Sequence, residues 1–164
     1  MLKPYIQISE AFRRKQDTLH FIKKAEKDTL AVYKYPEGTL VDLNEADTTE
    51  LKKIPGIGSA RMIVAYRKRL GGFYDMAQLK EVNYVDEDML RWFKLGNAPI
   101  HRINANKAGL DKLRSHPYMN FYQAKVIIEY RRKKGKLKSL SQLSLYEEFT
   151  EKDLERLSHY LAFD

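Results

Sequence analysis

A repeat constrains this chain more than any other feature. Val41-Asp42-Leu43-Asn44-Glu45-Ala46 with Leu51 is echoed by Ile103-Asn104-Ala105-Asn106-Lys107-Ala108 with Leu113, and a proline follows each at the same interval, Pro55 and Pro117. Ile63-Val64-Ala65-Tyr66-Arg67-Lys68-Arg69-Leu70-Gly71 is then matched by Ile127-Ile128-Glu129-Tyr130-Arg131-Arg132-Lys133-Lys134-Gly135, and Gln78-Leu79 by Gln142-Leu143. So many successive anchor points in the same order describe one supersecondary unit used twice.

Each copy reads as helical. Asp47 with Glu50 has capping-box spacing ahead of a helix over Thr48–Ile54, and Thr150 with Asp153 has it ahead of Leu154–Leu161. Met62, Ile63 and Tyr66, and again Val126, Ile127 and Tyr130, recur at helical spacing. Gly71 and Gly135 stand where helix-terminating glycines belong, just after basic residues, and Asp75 reads as a further cap. Nothing demands a sheet. The expected fold is all-α: two tandem units, 41–98 and 99–164, behind a partly ordered linker in 1–40. Within that linker Phe12, Leu19 and Ile22 suit a helix, Leu30–Tyr35 reads equally as a strand, and Pro36-Glu37-Gly38 marks a turn. The opening Leu2-Lys3-Pro4-Tyr5 repeats the Leu-x-x-aromatic pattern that closes both units, and reads as the tail of an upstream third unit.

Charge narrows the class of partner. The net charge of +8 is unevenly spread: 8 basic and 5 acidic residues in 1–40, 9 and 9 in 41–98, 13 and 8 in 99–164. Six of the eight residues from Arg131 to Lys138 are basic. A polyanion is the expected partner, with a solvated helix end as the plain alternative for that run. The absence of cysteine excludes disulfides, thiolate metal sites and a cysteine nucleophile. His20, His101, His116 and His159 include no i,i+4 pair, and no Walker lysine follows the glycines, so neither a metal site nor a nucleotide P-loop is expected.

Pro55-Gly56-Ile57-Gly58 lies between two expected helices. Gly56 there accommodates φ > 0, Ile57 plugs the turn into the core, and Gly58 lets another group approach the backbone. The N–H groups of such a turn, at the start of a helix over Ser59–Leu70, meet an anion with donors and a positive dipole end. Ser59 is expected either to cap that helix or to give its hydroxyl to the anion, with Arg61 beside it.

Together, Val41–Ala46, Leu51-Lys52-Lys53-Ile54-Pro55-Gly56-Ile57-Gly58, Ala65-Tyr66-Arg67, Gly72-Phe73 and Leu79 resemble the helix-hairpin-helix domain of ComEA-type competence DNA receptors. The resemblance covers 41–95 well and 101–163 as a degenerate copy. It implies binding of double-stranded DNA through the phosphate backbone, largely without sequence preference, in DNA uptake or processing. It also implies a monovalent cation on backbone carbonyls near Ile54 and Ile57. An uptake role implies the extracytoplasmic side of the cell envelope, a processing role the cytoplasm. The expected DNA contacts are Gly56, Ile57, Gly58, Ser59, Arg61, Asn120, Arg131, Arg132 and Lys134.

Two departures bear on this. Only seven residues separate Gly-Ile-Gly from Tyr-Arg, against nine in the family, so the helix start must reorganise. The second copy keeps the spacing but has Tyr118-Met119-Asn120 in the turn, with Asn120 suited to a left-handed position. Glycosylases that carry this hairpin place a lysine closely behind it and an aspartate farther on; here Ala60 and Arg61 follow instead, so neither an enzyme nor a small-molecule substrate is expected. The rival reading is a helical protein-interaction scaffold that has lost DNA binding, with Tyr118, Phe121 and Tyr122 as its exposed surface.

Overall fold

Asp47 and Glu50 cap each other's backbone as their spacing predicts: Asp47 Oδ1 accepts from Glu50 N at 2.7 Å and Glu50 Oε2 from Asp47 N at 3.2 Å. The computed structural model describes residues 33–164. The upstream-unit reading of Leu2–Tyr5 and the linker reading as far as residue 32 lie outside the described residues. Of the linker, the Pro36–Gly38 turn is present, with Gly38 at φ +84° and Thr39 N donating to Pro36 O at 3.3 Å. Tyr35 N donates to Lys53 O at 2.8 Å.

The first copy contains helices α1 (Thr48–Leu51) and α2 (Ala60–Leu70), then 3₁₀ turns Met76–Glu81 and Glu87–Trp92. The second contains α3 (Leu110–Arg114), α4 (Phe121–Lys134), a 3₁₀ turn Leu140–Gln142 and α5 (Glu151–Ser158). α1 is shorter than expected because Lys53 N and Ile54 N bond back to Glu50 O and Leu51 O, each at 3.0 Å, which tightens the chain into turns ahead of Pro55. α5 is displaced from its expected bounds. The Thr150–Asp153 box forms, with Asp153 N on Thr150 Oγ1 at 3.2 Å, and so starts the helix at Glu151; Leu161 lies in a strand instead. The helical reading holds, with one small addition. Two two-residue parallel ladders tie each copy's entry to its exit: β1 (Val41–Asp42) with β2 (Phe93–Lys94), and β3 (Ile103–Asn104) with β4 (Leu161–Ala162). The architecture remains all-helical in its core.

The repeated residues are the ones that close each copy. Asn44 exchanges two hydrogen bonds with Phe73, at 2.8 and 2.9 Å, and Asn106 does the same with Leu137, both at 2.8 Å. Arg67 Nη1 donates to Leu43 O and Ala46 O; Arg131 Nη1 donates to Ala108 O at 2.6 Å. Gln78 Oε1 accepts from Tyr74 N and Asp75 N, and Gln142 Oε1 from Lys138 N and Ser139 N. Each long-range clamp satisfies loop backbone groups that would otherwise be unpaired.

Each copy has its own core, around Leu43, Leu51, Ile54 and Ile63 in the first and Leu113, Ala124, Ile127 and Leu143 in the second. They meet at Tyr160, which is wholly buried in the first core although it belongs to the second copy. Tyr160 OH donates to Gly72 O at 2.9 Å and accepts from Gln78 Nε2 at 2.8 Å. Beside it His116, 2% exposed, uses both ring nitrogens: Nε2 donates to Leu70 O at 3.0 Å and Nδ1 accepts from Tyr118 N at 3.2 Å. That pairing is the neutral tautomer. Burial pushes the imidazole down to about 4; the Leu70 bond opposes the shift, and Arg69 and Lys112 add to it by repulsion.

A pH dependence follows. Between the ordinary value of 6.5 and about 4 the unfolded chain takes up a proton that the folded chain refuses. His116 therefore contributes stability in full above pH 6.5 and loses it as pH falls through that window, by about 3 kcal/mol in all. Urea midpoints measured at pH steps across the window should fall more steeply for the native sequence than for His116→Gln. Equal slopes would remove His116 as the cause.

Candidate nucleic-acid interface

The first turn is built as expected in two respects. Gly56 takes φ +74°, which a side chain rarely tolerates, and Ile57 packs partly buried against the core. Gly58 is different. It does not have a left-handed φ, and a Cβ added to it meets nothing within 4 Å. Neither backbone conformation nor internal packing requires glycine there; the bare backbone faces open space.

α2 begins without a side-chain cap. The N–H groups of the exposed Gly58 and Arg61, and of the buried Ser59 and Ala60, meet no protein acceptor among the described residues, and the first amides to bond back are Met62 and Ile63, to Ser59 O. These are the orphan donors of a helix start, with the positive dipole end behind them. Arg61 is exposed in the same turn, without an ion-pair partner among the described residues. Ser59 departs from both expected roles. It occupies the cap position, yet it is 1% exposed and its hydroxyl has no partner among the described residues, so it neither caps α2 nor reaches solvent.

The second turn has the opposite character. Tyr118 N bonds to His116 Nδ1, Met119 N to His116 O, Asn120 N to Gln123 Oε1 and Gln123 N to Asn120 Oδ1, which leaves free only the amides of Phe121 and Tyr122. Asn120 is the extended cap of α4 at φ −87°, ψ 174°, not a left-handed residue, and its side chain is committed to that cap. The cavity at this turn is lined by Glu148 and Asp153 as well as Arg156, so carboxylates stand where a phosphate would approach. The second turn thus satisfies donors that the first leaves without an acceptor.

The reading of Tyr118, Phe121 and Tyr122 as one exposed surface is corrected as well. Phe121 and Tyr122 are exposed and meet edge to face at 5.6 Å. Tyr118 instead packs between the copies, accepting from Gln78 Nε2 at 2.9 Å, donating to Glu81 Oε2 at 2.7 Å, and lying under Arg156 at 4.7 Å. Burial first, and the Glu81 bond second, push its phenol up to about 12, so it stays a neutral donor. Glu81 also accepts from Tyr66 OH at 2.6 Å and pairs with Arg156 at 3.3 Å.

The basic run is split by structure. Arg131 is half-buried and held on Ala108 O, so it is a clamp, not the exposed cation expected; the repeated Tyr-Arg doublet already carried that signal, since Arg67 does the same. Arg132 and Lys134 are exposed, with Lys134 over the Tyr130 ring at 5.6 Å, and Lys133 pairs with Glu129 at 3.6 Å. These residues end α4, whereas Asn120 begins it, about 20 Å away for a helix of this length. The turn and the charge do not form one site.

Residues 37–92 and 99–162 match the family model described as the helix-hairpin-helix motif. No match was found among the curated proteins or the solved structures.

Proposed function

This chain belongs to the helix-hairpin-helix motif family, which is generally associated with nucleic-acid binding, and from that premise we propose that its first turn holds the phosphate backbone of double-stranded DNA irrespective of base sequence. One observation carries the reading: a glycine that the fold does not require, Gly58, fronts a helix start whose amides have no internal acceptor. Bare amides and a dipole end recognise a phosphate oxygen and carry no base information. Ile54 O accepts only the long 3.4 Å bond from Ile57 N, and Ile57 O accepts none among the described residues. These hard carbonyl oxygens fit the monovalent cation that the resemblance implies, which would supply positive charge beside the phosphate.

No catalytic step belongs to this reading. The role we attach to it, by resemblance to ComEA-type receptors, is uptake or processing of DNA, at the extracytoplasmic face of the envelope or in the cytoplasm respectively. The scaffold reading is favoured by the exposed Phe121–Tyr122 pair. Salt titrations on two unrelated duplexes separate the two. DNA-backbone binding predicts one affinity for both duplexes and a common slope of about −0.9 in log K against log salt per phosphate engaged. A salt-independent or sequence-selective result would sink it.

A further inference from the structure

The first copy holds the second through the end of α2. Leu70 O accepts from His116 Nε2, Gly71 O from His101 N at 2.8 Å, and Gly72 O from Tyr160 OH. Carrying the Tyr66–Tyr130 register forward places Arg132 at the position of Lys68, Gly135 at Gly71, Lys136 at Gly72 and Lys138 at Tyr74. Both copies thus carry a cation and a glycine here, but where the first has Gly72 and Tyr74 the second has Lys136 and Lys138. Both copies have a cavity at this place. That of the first, about 380 Å³, is lined by Arg67 and Lys68 as well as by the connector residues Ala98, Pro99 and His101. That of the second, about 430 Å³, is lined by Asn106, Ile128, Arg131, Arg132, Gly135 and Lys136.

The charge there is available. Arg132, Lys136 and Lys138 are exposed and have no ion-pair partner among the described residues. Arg131, fixed on Ala108 O, sets a further cation in the wall. A Cβ at Gly135 would meet nothing within 4 Å, so the backbone there is as open as at Gly58. Such a face repels an apolar repeat and suits a polyanion. α2 and α4 bury their side chains in separate cores, and the junction joins the far end of α2 to the near end of α4. The first turn and this cleft therefore each lie at the end of its helix away from that junction, on helices about 16 and 21 Å long.

We propose that the cleft of Arg132, Gly135 and Lys136, with the exposed Lys138 two residues farther along the chain, is a second phosphate-binding site, which takes the backbone of a DNA segment other than the one at the first turn, so that one chain bridges two duplexes. The inference rests on the DNA-backbone reading of the first turn. Its test uses the full chain: a bead-tethered duplex loaded with protein is challenged with a fluorescent duplex of unrelated sequence, beside an ordinary affinity measurement on one duplex.

The native sequence should retain the fluorescent duplex. The triple variant Arg132→Gln, Lys136→Gln, Lys138→Gln should lose that retention by at least about tenfold while still loading the tethered duplex through the first turn. Retention by the triple variant equal to the native level would overturn the cleft as a site. Single-duplex binding without retention by the native chain would overturn bridging and put both sites on one duplex. Retention that appears only where light scattering shows a dimer would also overturn it. So would capture of phosphatidylglycerol vesicles in place of the second duplex, which would make the partner a membrane. No binding to either duplex would instead remove the reading of the first turn.

Discussion

Gly58→Asp should weaken binding to any duplex by about 10–100-fold, the loss expected for hydrogen bonds to a charged group. The new Cβ meets no atom within 4 Å and the backbone there does not have a left-handed φ, so the fold accommodates the side chain. The carboxylate would occupy the free amides ahead of α2 and repel the phosphate. At the positive end of a helix dipole it should also hold or raise the melting temperature, since an acidic group there adds a few tenths of a kcal/mol or more. The two effects have opposite sign, which separates loss of function from loss of structure. A folded variant with native affinity would take the first turn out of the DNA contact.

Tyr160→Ala should cost about 3–5 kcal/mol, the range for removing a wholly buried large aromatic side chain. Its hydroxyl also satisfies Gly72 O and Gln78 Nε2, which lose a partner when it goes. Because Tyr160 fills the first core from the second copy, the loss should be read by Trp92, the chain's single tryptophan, buried in that same core. A lower denaturant midpoint in Trp92 fluorescence would show that the copies fold as one cooperative body. A midpoint displaced by less than about 1 kcal/mol would show that the first copy stands without its neighbour.

The legible parts of this protein are those whose partners lie close along the chain. Asp47 with Glu50 and Thr150 with Asp153 form their boxes, and Gly56 and Gly71 take the left-handed conformations that a turn and a helix end require. Asn44 and Asn106 were legible as repeated anchors, but not as the clamps they are, because each bonds to backbone about 30 residues away. At the candidate interface, the turn was identified by its glycines. Ser59 was misread because its burial depends on packing, and Asn120 because a local cap with Gln123 outcompetes a left-handed turn. Arg131 counted as surface charge until its carbonyl partner was known.

By itself, then, the sequence determined the duplication, the helical class, the caps and the turn that presents bare amides. These are set by propensities and bonds spanning a few residues, which act in the same way wherever the segment is placed. Only the tertiary structure decided that the two copies share a seam through Tyr160, His116 and Tyr118, that the second turn satisfies itself, and that Arg131 of the basic run is a clamp on Ala108 O. Contacts such as Gln78 to Tyr160 join residues 82 apart in sequence, and their formation depends on which side chains exclude water together. No spacing along the chain encodes that.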